Sequence, residues 1–162
     1  MLDRQLSDLI AHTFITPGDV FDLANKIKAE PVTAEDIRGD VCENALKALR
    51  WVHENITYVS DFSLSGQAEY WQEPYWTVRV GHGDCDDMAF LLASILMVYG
   101  GDVRVVYGTM KMGLHVWVEF RRDPGAFVIL EATNGAVYRQ DYPLYRTIEV
   151  LFDSHEWTVK GA

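Results

Sequence analysis

The chain has 162 residues, of which 49% are hydrophobic and 12% are aromatic, and its formal net charge is −10. This length and composition predict one packed domain over residues 1–162 and exclude a disordered segment. Asp and Glu number 24 against 14 Lys and Arg. We therefore expect neither nucleic acid nor an anionic membrane as a partner, since both require a basic surface.

The sequence contains no apolar run long enough to span a bilayer. Its first residues are charged and lack the apolar middle of a signal peptide, so we expect a cytoplasmic protein. Cys42 and Cys85 are the only cysteines. A reducing compartment would keep both as free thiols.

The N-terminal part, residues 1–55, has the spacing of apolar residues that is typical of helices. Thr16-Pro17-Gly18-Asp19 combines a helix N-cap, a proline at the first helical position and an acid three residues after the cap. This pattern predicts a helix that begins there and ends before Pro31. Thr33-Ala34-Glu35-Asp36 repeats the start signal and predicts a helix ending near Asn55.

Residues 56–83 are rich in aromatic residues and are predicted to be irregular. After them, Asp84 is predicted to cap an apolar helix that begins at Cys85 and stops at Gly100-Gly101. Strands are predicted at 103–109, 114–120, 126–133 and 144–152, with a weaker one at 156–160. These elements predict an α+β fold with helices first, then an antiparallel sheet packed on the Cys85 helix, and a catalytic core at about 68–152.

Cys85 is the candidate nucleophile. It falls in the first turn of its helix, where backbone N–H groups and the helix dipole stabilise an anion. We therefore expect it to react faster than Cys42, whose apolar neighbours are typical of a buried structural cysteine. Because residues at i+1 and i+2 point away from residue i on a helix, Asp86 and Asp87 are not expected to face the sulfur.

His115 and Glu131 are the candidate base and the acid that orients it. They lie in two consecutive predicted strands joined by the turn signal Arg122-Asp123-Pro124-Gly125. If Phe120 pairs with Ala126 across this turn, His115 faces Glu131 directly, at a distance that a carboxylate–imidazole hydrogen bond can span. Together with Cys85 they would supply the nucleophile, base and orienting group that thiol catalysis requires.

Metal binding is the alternative chemistry for the segment around the cysteine. His82, Asp84, Cys85, Asp86 and Asp87 all carry groups that can act as metal ligands. Zinc sites usually draw on more Cys or His residues at set spacing, and the EF-hand calcium pattern with its final Glu is absent. We therefore expect no metal at this site, although the acidic residues leave calcium open.

Residues 68–134 resemble the transglutaminase-like superfamily of papain-type cysteine enzymes. The family pattern places Gly-x-Cys at the start of an apolar helix that ends in glycine, followed by an apolar strand. A His with an aromatic residue two positions later comes next, and then a strand ending in an acid and a Thr. The matching segments here are Gly83-Asp84-Cys85, Gly100-Gly101, Val103-Arg104-Val105-Val106, His115-Val116-Trp117 and Leu130-Glu131-Ala132-Thr133.

Trp71-Gln72-Glu73-Pro74, ahead of Gly-Asp-Cys-Asp-Asp, is also similar to bacterial cysteine peptidases of this superfamily. One residue departs from the family pattern, because the usual third member is Asp and this chain has Glu131. The resemblance implies a papain-like fold and a Cys85, His115, Glu131 triad, with no cofactor.

The residues together predict a cysteine-dependent amide hydrolase that acts on a protein or peptide through a thioester. The backbone N–H of Cys85 would bind the oxyanion together with a second donor, for which Gln72 and Trp76 are the candidates, and Trp71 would help to line the cleft. Acyl transfer to an amine would use the same triad and stays open. A binding module without activity is the third possibility, although such a module would have no need of Cys85.

Overall fold

The computed structural model describes residues 4–30, 42–60, 71–111, 113–122 and 125–156. The helix start signal at 33–36 and nearly all of the weak strand predicted at 156–160 lie outside these ranges. No helix in the described ranges is both long enough and apolar enough to cross a membrane.

In the described ranges, the helices that form one layer of the fold lie between residues 4 and 99. A π-helical turn, Ile10–Phe14, follows α1, and a 3₁₀ turn, Pro17–Val20, precedes α2. The α-helices are α1 (Arg4–Leu9), α2 (Phe21–Lys28), α3 (Glu43–Asn55), α4 (Pro74–Val80) and α5 (Cys85–Tyr99).

The second layer is an antiparallel sheet of five described strands in the order β6-β5-β4-β3-β7. Its strands are β3 (Asp102–Met110), β4 (Gly113–Arg121), β5 (Val128–Glu131), β6 (Ala136–Arg139) and β7 (Arg146–Asp153). Two short strands, β1 (Thr57–Tyr58) and β2 (His82–Gly83), pair in parallel just ahead of α5. The predicted α+β fold is therefore confirmed.

Helix α5 is the centre of the core, and its residues from Asp87 to Leu96 are all buried. Its start is fixed by a capping box, in which the Asp84 side chain accepts from the N–H groups of Asp86 and Asp87 and Asp87 accepts from the N–H of Asp84. This confirms the predicted cap. One face of the sheet packs on α5 through alternate residues of its central strands, including Val105, Val116, Val118, Phe120 and Leu130.

Two sequence predictions about the helical part need correction. Helical backbone begins at Pro17, as predicted, but Pro17–Val20 is a 3₁₀ turn, α2 starts at Phe21, and Thr16 makes no side-chain cap bond. The Thr16 N–H donates to Ser94 Oγ of α5 at 3.0 Å. The segment 56–83 is not irregular throughout, since α4 occupies Pro74–Val80. Proline at its first position and Gly81 at its C-cap, with φ of 75°, are the usual boundaries of a helix.

The predicted register between β4 and β5 is also wrong, by two residues. Phe120 pairs with Val128, not with Ala126, and Val118 pairs with Leu130. The pairing partner of Phe120 therefore lies two residues further along the chain than predicted. A shift of two leaves every side chain on its predicted face, because side chains alternate with a period of two.

The connection between β6 and β7 crosses the sheet. These two strands lie at opposite edges, and residues 140–145, which we call the strap, join them. The strap contains two turns, with hydrogen bonds from Tyr142 N to Arg139 O and from Tyr145 N to Tyr142 O. Tyr145 packs in a small cluster with Val106, Trp117 and Ile129, on the face of the sheet opposite α5.

Replacing Asp87 by Ala should destabilise the fold strongly. The Asp87 side chain is 0% exposed and accepts from the backbone N–H groups of Gln72 at 2.8 Å and Asp84 at 3.1 Å. Its loss leaves two buried donors unsatisfied, and we expect a decrease of about 2–5 kcal/mol in the free energy of unfolding. Urea unfolding followed by far-UV circular dichroism measures this change.

Asp8→Ala is the matched control, because Asp8 is exposed on α1. It should change the unfolding free energy by about 0.5 kcal/mol or less. Asp87→Asn keeps one acceptor oxygen and should fall between the two. Equal stability of the Asp87→Ala and Asp8→Ala variants would contradict the role given to this carboxylate.

Candidate active site

Cys85 is the first residue of α5 and follows the Asp84 cap directly. Its thiol donates to Asp86 Oδ1 at 3.4 Å, and the backbone N–H of Val116 in β4 bonds to the sulfur. Val116 lies outside the stretch of β4 that pairs with β5, which is residues 118–120. The sulfur of the candidate nucleophile therefore contacts the residue that follows His115 in the chain.

The environment of Cys85 favours the protonated thiol. Burial raises the pKa of Cys85 most, the negative charges of Asp86 and Asp84 raise it further, and the Val116 hydrogen bond lowers it; the net shift is upward. This upward shift opposes the expected effect of the helix N-terminus, and the faster reaction of Cys85 relative to Cys42 stays a prediction.

The prediction that Asp86 does not face the sulfur is wrong, because Trp71 binds the Asp86 carboxylate. Its Oδ2 accepts a 2.8 Å hydrogen bond from Trp71 Nε1, which turns the carboxylate so that Oδ1 meets the thiol. Trp71 is itself fixed by edge contacts with Phe14 and Phe90. Asp87 binds the backbone of Gln72 and Asp84 instead.

His115 and Glu131 are joined by a hydrogen bond of 2.7 Å between Nε2 and Oε2. In the observed register they are diagonal neighbours on one face of the sheet, not directly opposed residues. Long side chains can bridge such a diagonal. The contact that the sequence predicted is thus present, although the register from which it was predicted is not.

Glu131 is 1% exposed, and both of its oxygens are held. Oε1 accepts from Thr133 Oγ1 at 2.8 Å and from Thr133 N at 3.3 Å, and Oε2 accepts from the Tyr145 hydroxyl at 2.9 Å as well as from His115. Burial raises the pKa of Glu131, but the hydrogen bonds and the charge of His115 outweigh it and lower the pKa below its ordinary value.

These contacts fix the tautomer of His115. An ionised carboxylate can only accept, so Nε2 must carry the proton in the bond to Glu131. In the neutral ring Nδ1 is then the nitrogen with a lone pair. It is the atom of His115 that can take a proton from a thiol.

The Trp117 ring packs against the His115 ring on β4. The two rings stack with centroids 6.2 Å apart and an angle of 26°. Gly108, which pairs with His115 across β3 and β4, makes room for the indole, because a Cβ there would lie 2.6 Å from the Trp117 ring and closer still to the Arg146 carbonyl oxygen. The imidazole therefore sits beside a packed ring instead of open solvent.

The structure separates the three predicted cleft residues. Trp71 and Gln72 contact the first turn of α5, through Asp86 and Asp87 respectively. Gln72 is 4% exposed, and its Oε1 accepts from Thr77 Oγ1 at 3.0 Å. Trp76 is 48% exposed on α4. The role of any of them in an oxyanion hole stays a prediction.

No group of three or more His, Cys, Asp or Glu side chains within the described ranges is arranged to hold a metal ion. The carboxylates beside the cysteine accept hydrogen bonds from protein groups instead: Asp84 from backbone N–H groups, Asp86 from Trp71 and Cys85, and Asp87 from backbone N–H groups.

Sequence reasoning missed Tyr145, whose hydroxyl reaches Glu131. It lies 14 residues after Glu131 and outside any recognisable motif. Only the path of the strap across the sheet brings it to the carboxylate, and nothing in the local sequence indicates that path.

Solved structures share this fold. Calcium-bound LapG from Legionella pneumophila is 18% identical, with a TM-score of 0.58 over 80% of this chain and 70% of that chain. Its EGTA-treated form is 19% identical, with a TM-score of 0.57 over 78% and 67%. A protein from Cytophaga hutchinsonii that carries the provisional description of a cysteine protease is 18% identical, with a TM-score of 0.55 over 91% and 52%.

The human centrosomal protein of 76 kDa is 33% identical in an alignment 104 residues long, which covers 54% of this chain and 16% of that protein. This chain therefore spans only a small part of that relative. Residues 27–132 match the transglutaminase-like superfamily, and this range contains Cys85, His115 and Glu131. Fold and sequence agree, and the chain belongs to the transglutaminase-like superfamily.

Proposed function

We propose that the chain is a cysteine-dependent amide hydrolase with Cys85 as nucleophile, His115 as base and Glu131 as the group that orients His115. The observation that carries this proposal is the 2.7 Å hydrogen bond between His115 and the buried carboxylate of Glu131, beside the Val116 contact of Cys85. The provisional description of the Cytophaga hutchinsonii protein as a cysteine protease supports the same reaction class.

In the first half of the reaction, the Cys85 proton passes to His115 Nδ1 as the sulfur attacks the amide carbonyl carbon. The backbone N–H of Cys85 at the helix start stabilises the oxyanion, and Gln72 is the candidate for a second donor. The C–N bond then breaks, the amine leaves with the proton from Nδ1, and a thioester remains on Cys85. Glu131 stays ionised throughout and stabilises the imidazolium.

In the second half, a water molecule loses a proton to Nδ1 and attacks the thioester carbon. The C–S bond breaks, the carboxylic acid product leaves, and the proton returns to the sulfur. An amine in place of water would give acyl transfer by the same steps. Water is the acceptor in our proposal, and the products formed with excess primary amine decide between the two.

The raised pKa of Cys85 affects how this mechanism begins. Little thiolate exists at neutral pH before substrate binds, so His115 must remove the proton during attack, as a general base. The thiol must also leave its hydrogen bond with Asp86. A substrate that separates the Cys85 thiol from the Asp86 carboxylate would favour proton transfer from the thiol to His115.

An acylation burst tests the proposal without knowledge of the natural substrate. With excess 4-nitrophenyl acetate, the wild-type chain should release about one nitrophenolate per active site in a fast phase, as the acetyl group is transferred to sulfur. Mass spectrometry should find the acetyl group on Cys85.

Cys85→Ala should abolish this burst, and Cys42→Ala, the matched control, should keep it. Both variants should retain the far-UV circular dichroism of the wild type. A burst that survives Cys85→Ala, or acetyl transfer mainly to Cys42, would reject the assignment of the nucleophile.

Asp86→Asn should increase the reactivity of Cys85 at neutral pH. The substitution removes the adjacent negative charge that raises the pKa of the thiol and keeps a similar side-chain shape. Alkylation by iodoacetamide, quantified at Cys85 by peptide mapping with Cys42 as internal reference, should become faster and its pH dependence should move to lower pH. An unchanged rate profile at Cys85 would show that Asp86 does not control the thiol.

Glu131 substitutions should reduce activity in a graded way. Glu131→Gln keeps an acceptor oxygen but loses the charge that stabilises the imidazolium, so its burst rate should fall below that of the wild type. Glu131→Ala removes both features and should be slower still, and neither should be as inactive as Cys85→Ala. Equal rates for wild type and Glu131→Ala would contradict the role of Glu131.

The charge of Glu131 should also make the stability of the fold depend on pH. Because folding lowers its pKa, ionised Glu131 stabilises the native state above the ordinary value of 4.5, and this contribution is lost as the pH falls through the lower native pKa. The difference in unfolding free energy between wild type and Glu131→Gln should shrink below about pH 4.5. Urea titrations between pH 7 and pH 3 measure it, and a difference that grows on acidification would contradict it.

A further inference from the structure

The strap brings one more side chain into the acid–base pair. Tyr145 donates its hydroxyl proton to Glu131 Oε2 at 2.9 Å, and the same oxygen accepts from His115 Nε2 at 2.7 Å. Its ring meets the Trp117 ring edge-on at 5.1 Å, and Trp117 stacks on His115. Tyr145 therefore contacts Glu131 directly through its hydroxyl and is linked to His115 through the Trp117 ring.

We propose that Tyr145 is a positioning residue of this site, which holds the Glu131 carboxylate in the orientation that His115 requires. The kinetic part of this inference rests on the proposed function, whereas the geometric part does not. Tyr145 acts through Glu131 and His115 and is assigned no contact with substrate.

The length of Glu131 explains why such a residue is needed. Glutamate has one more rotatable bond than aspartate, so its carboxylate can occupy several staggered positions at the end of the strand. Thr133 holds Oε1 through two hydrogen bonds. Among the residues that the structure describes, His115 is the other partner of Oε2, and it is the group that Glu131 has to orient.

Packing determines where the Tyr145 hydroxyl points. The ring lies between Trp117 and Tyr138, whose centroids are 5.1 Å and 5.5 Å away, and the turn bond from Tyr145 N to Tyr142 O fixes the backbone. Tyr142 belongs to the same aromatic group, stacks on Tyr138 at 4.9 Å and is 37% exposed. Tyr142 thus offers a control that shares the surroundings of Tyr145, while the hydroxyl at Glu131 is that of Tyr145.

The test compares Tyr145→Phe with Tyr142→Phe. Each removes one oxygen and keeps the ring, so both chains should fold, as melting temperatures and far-UV spectra will verify. The first readout is the hydrogen-exchange rate of the proton on His115 Nε2, measured by nitrogen-15 NMR in the Cys85→Ala background. It should rise about tenfold or more in Tyr145→Phe and stay near the wild-type rate in Tyr142→Phe.

The second readout is the pH profile of the 4-nitrophenyl acetate burst in chains that keep Cys85. Loss of a hydrogen bond that favours ionised Glu131 should move the acid limb of the profile to higher pH in Tyr145→Phe alone. Damage to packing alone would lower the melting temperature and leave the position of this limb unchanged.

Equal exchange rates in the two variants would overturn the inference, as would an acid limb that does not move. The exchange measurement needs no activity. A wild-type chain without a burst would therefore reject the proposed function, while the exchange rates would still support or overturn the role of Tyr145.

Discussion

A buried carboxylate at the start of α5 is the interaction on which the arrangement of the site depends. Asp87, 0% exposed, accepts from the N–H groups of Gln72 and Asp84, and so joins the segment before α4 to the first turn of α5. A Cβ on Gly83 would lie 2.7 Å from that of Asp87, so only glycine lets the chain pass this close. The position of Cys85 follows from this join, because it lies between the cap and Asp87.

Local signals were enough to predict the start of α5 and the face of the sheet on which each strand residue lies. Asp84 directly precedes the apolar run, which is enough to predict an N-cap, and the structure shows that Asp87 completes a capping box with it. The alternation of apolar and polar residues along β4 and β5 predicted that His115 and Glu131 lie on one face of the sheet. This prediction is correct although the predicted register is wrong by two residues, because a shift of two does not change the face. The face on which a side chain lies depends only on the two-residue period of a strand, whereas the register depends on the length of the turn.

What the sequence could not show depends on contacts between distant segments. The Thr16 N–H donates to Ser94 Oγ, 78 residues away, and no local pattern around Thr16 indicates this contact. Asp86 turns toward Cys85 because Trp71 donates to it, and no helical rule contains that indole. The helix Pro74–Val80 had recognisable boundaries, but the aromatic composition of its surroundings obscured them.

The strap also limits the shape of the sheet. From β6 to β7 a flat sheet would span four interstrand steps, roughly 19 Å. The chain from Arg139 to Arg146 contains two turns and one further residue step, and it can reach only about 18 Å. A strap of this length therefore favours a curled sheet, whose edges lie closer together than those of a flat one. Because the strap also carries Tyr145, an insertion between residues 139 and 146 would displace the Tyr145 hydroxyl relative to Glu131.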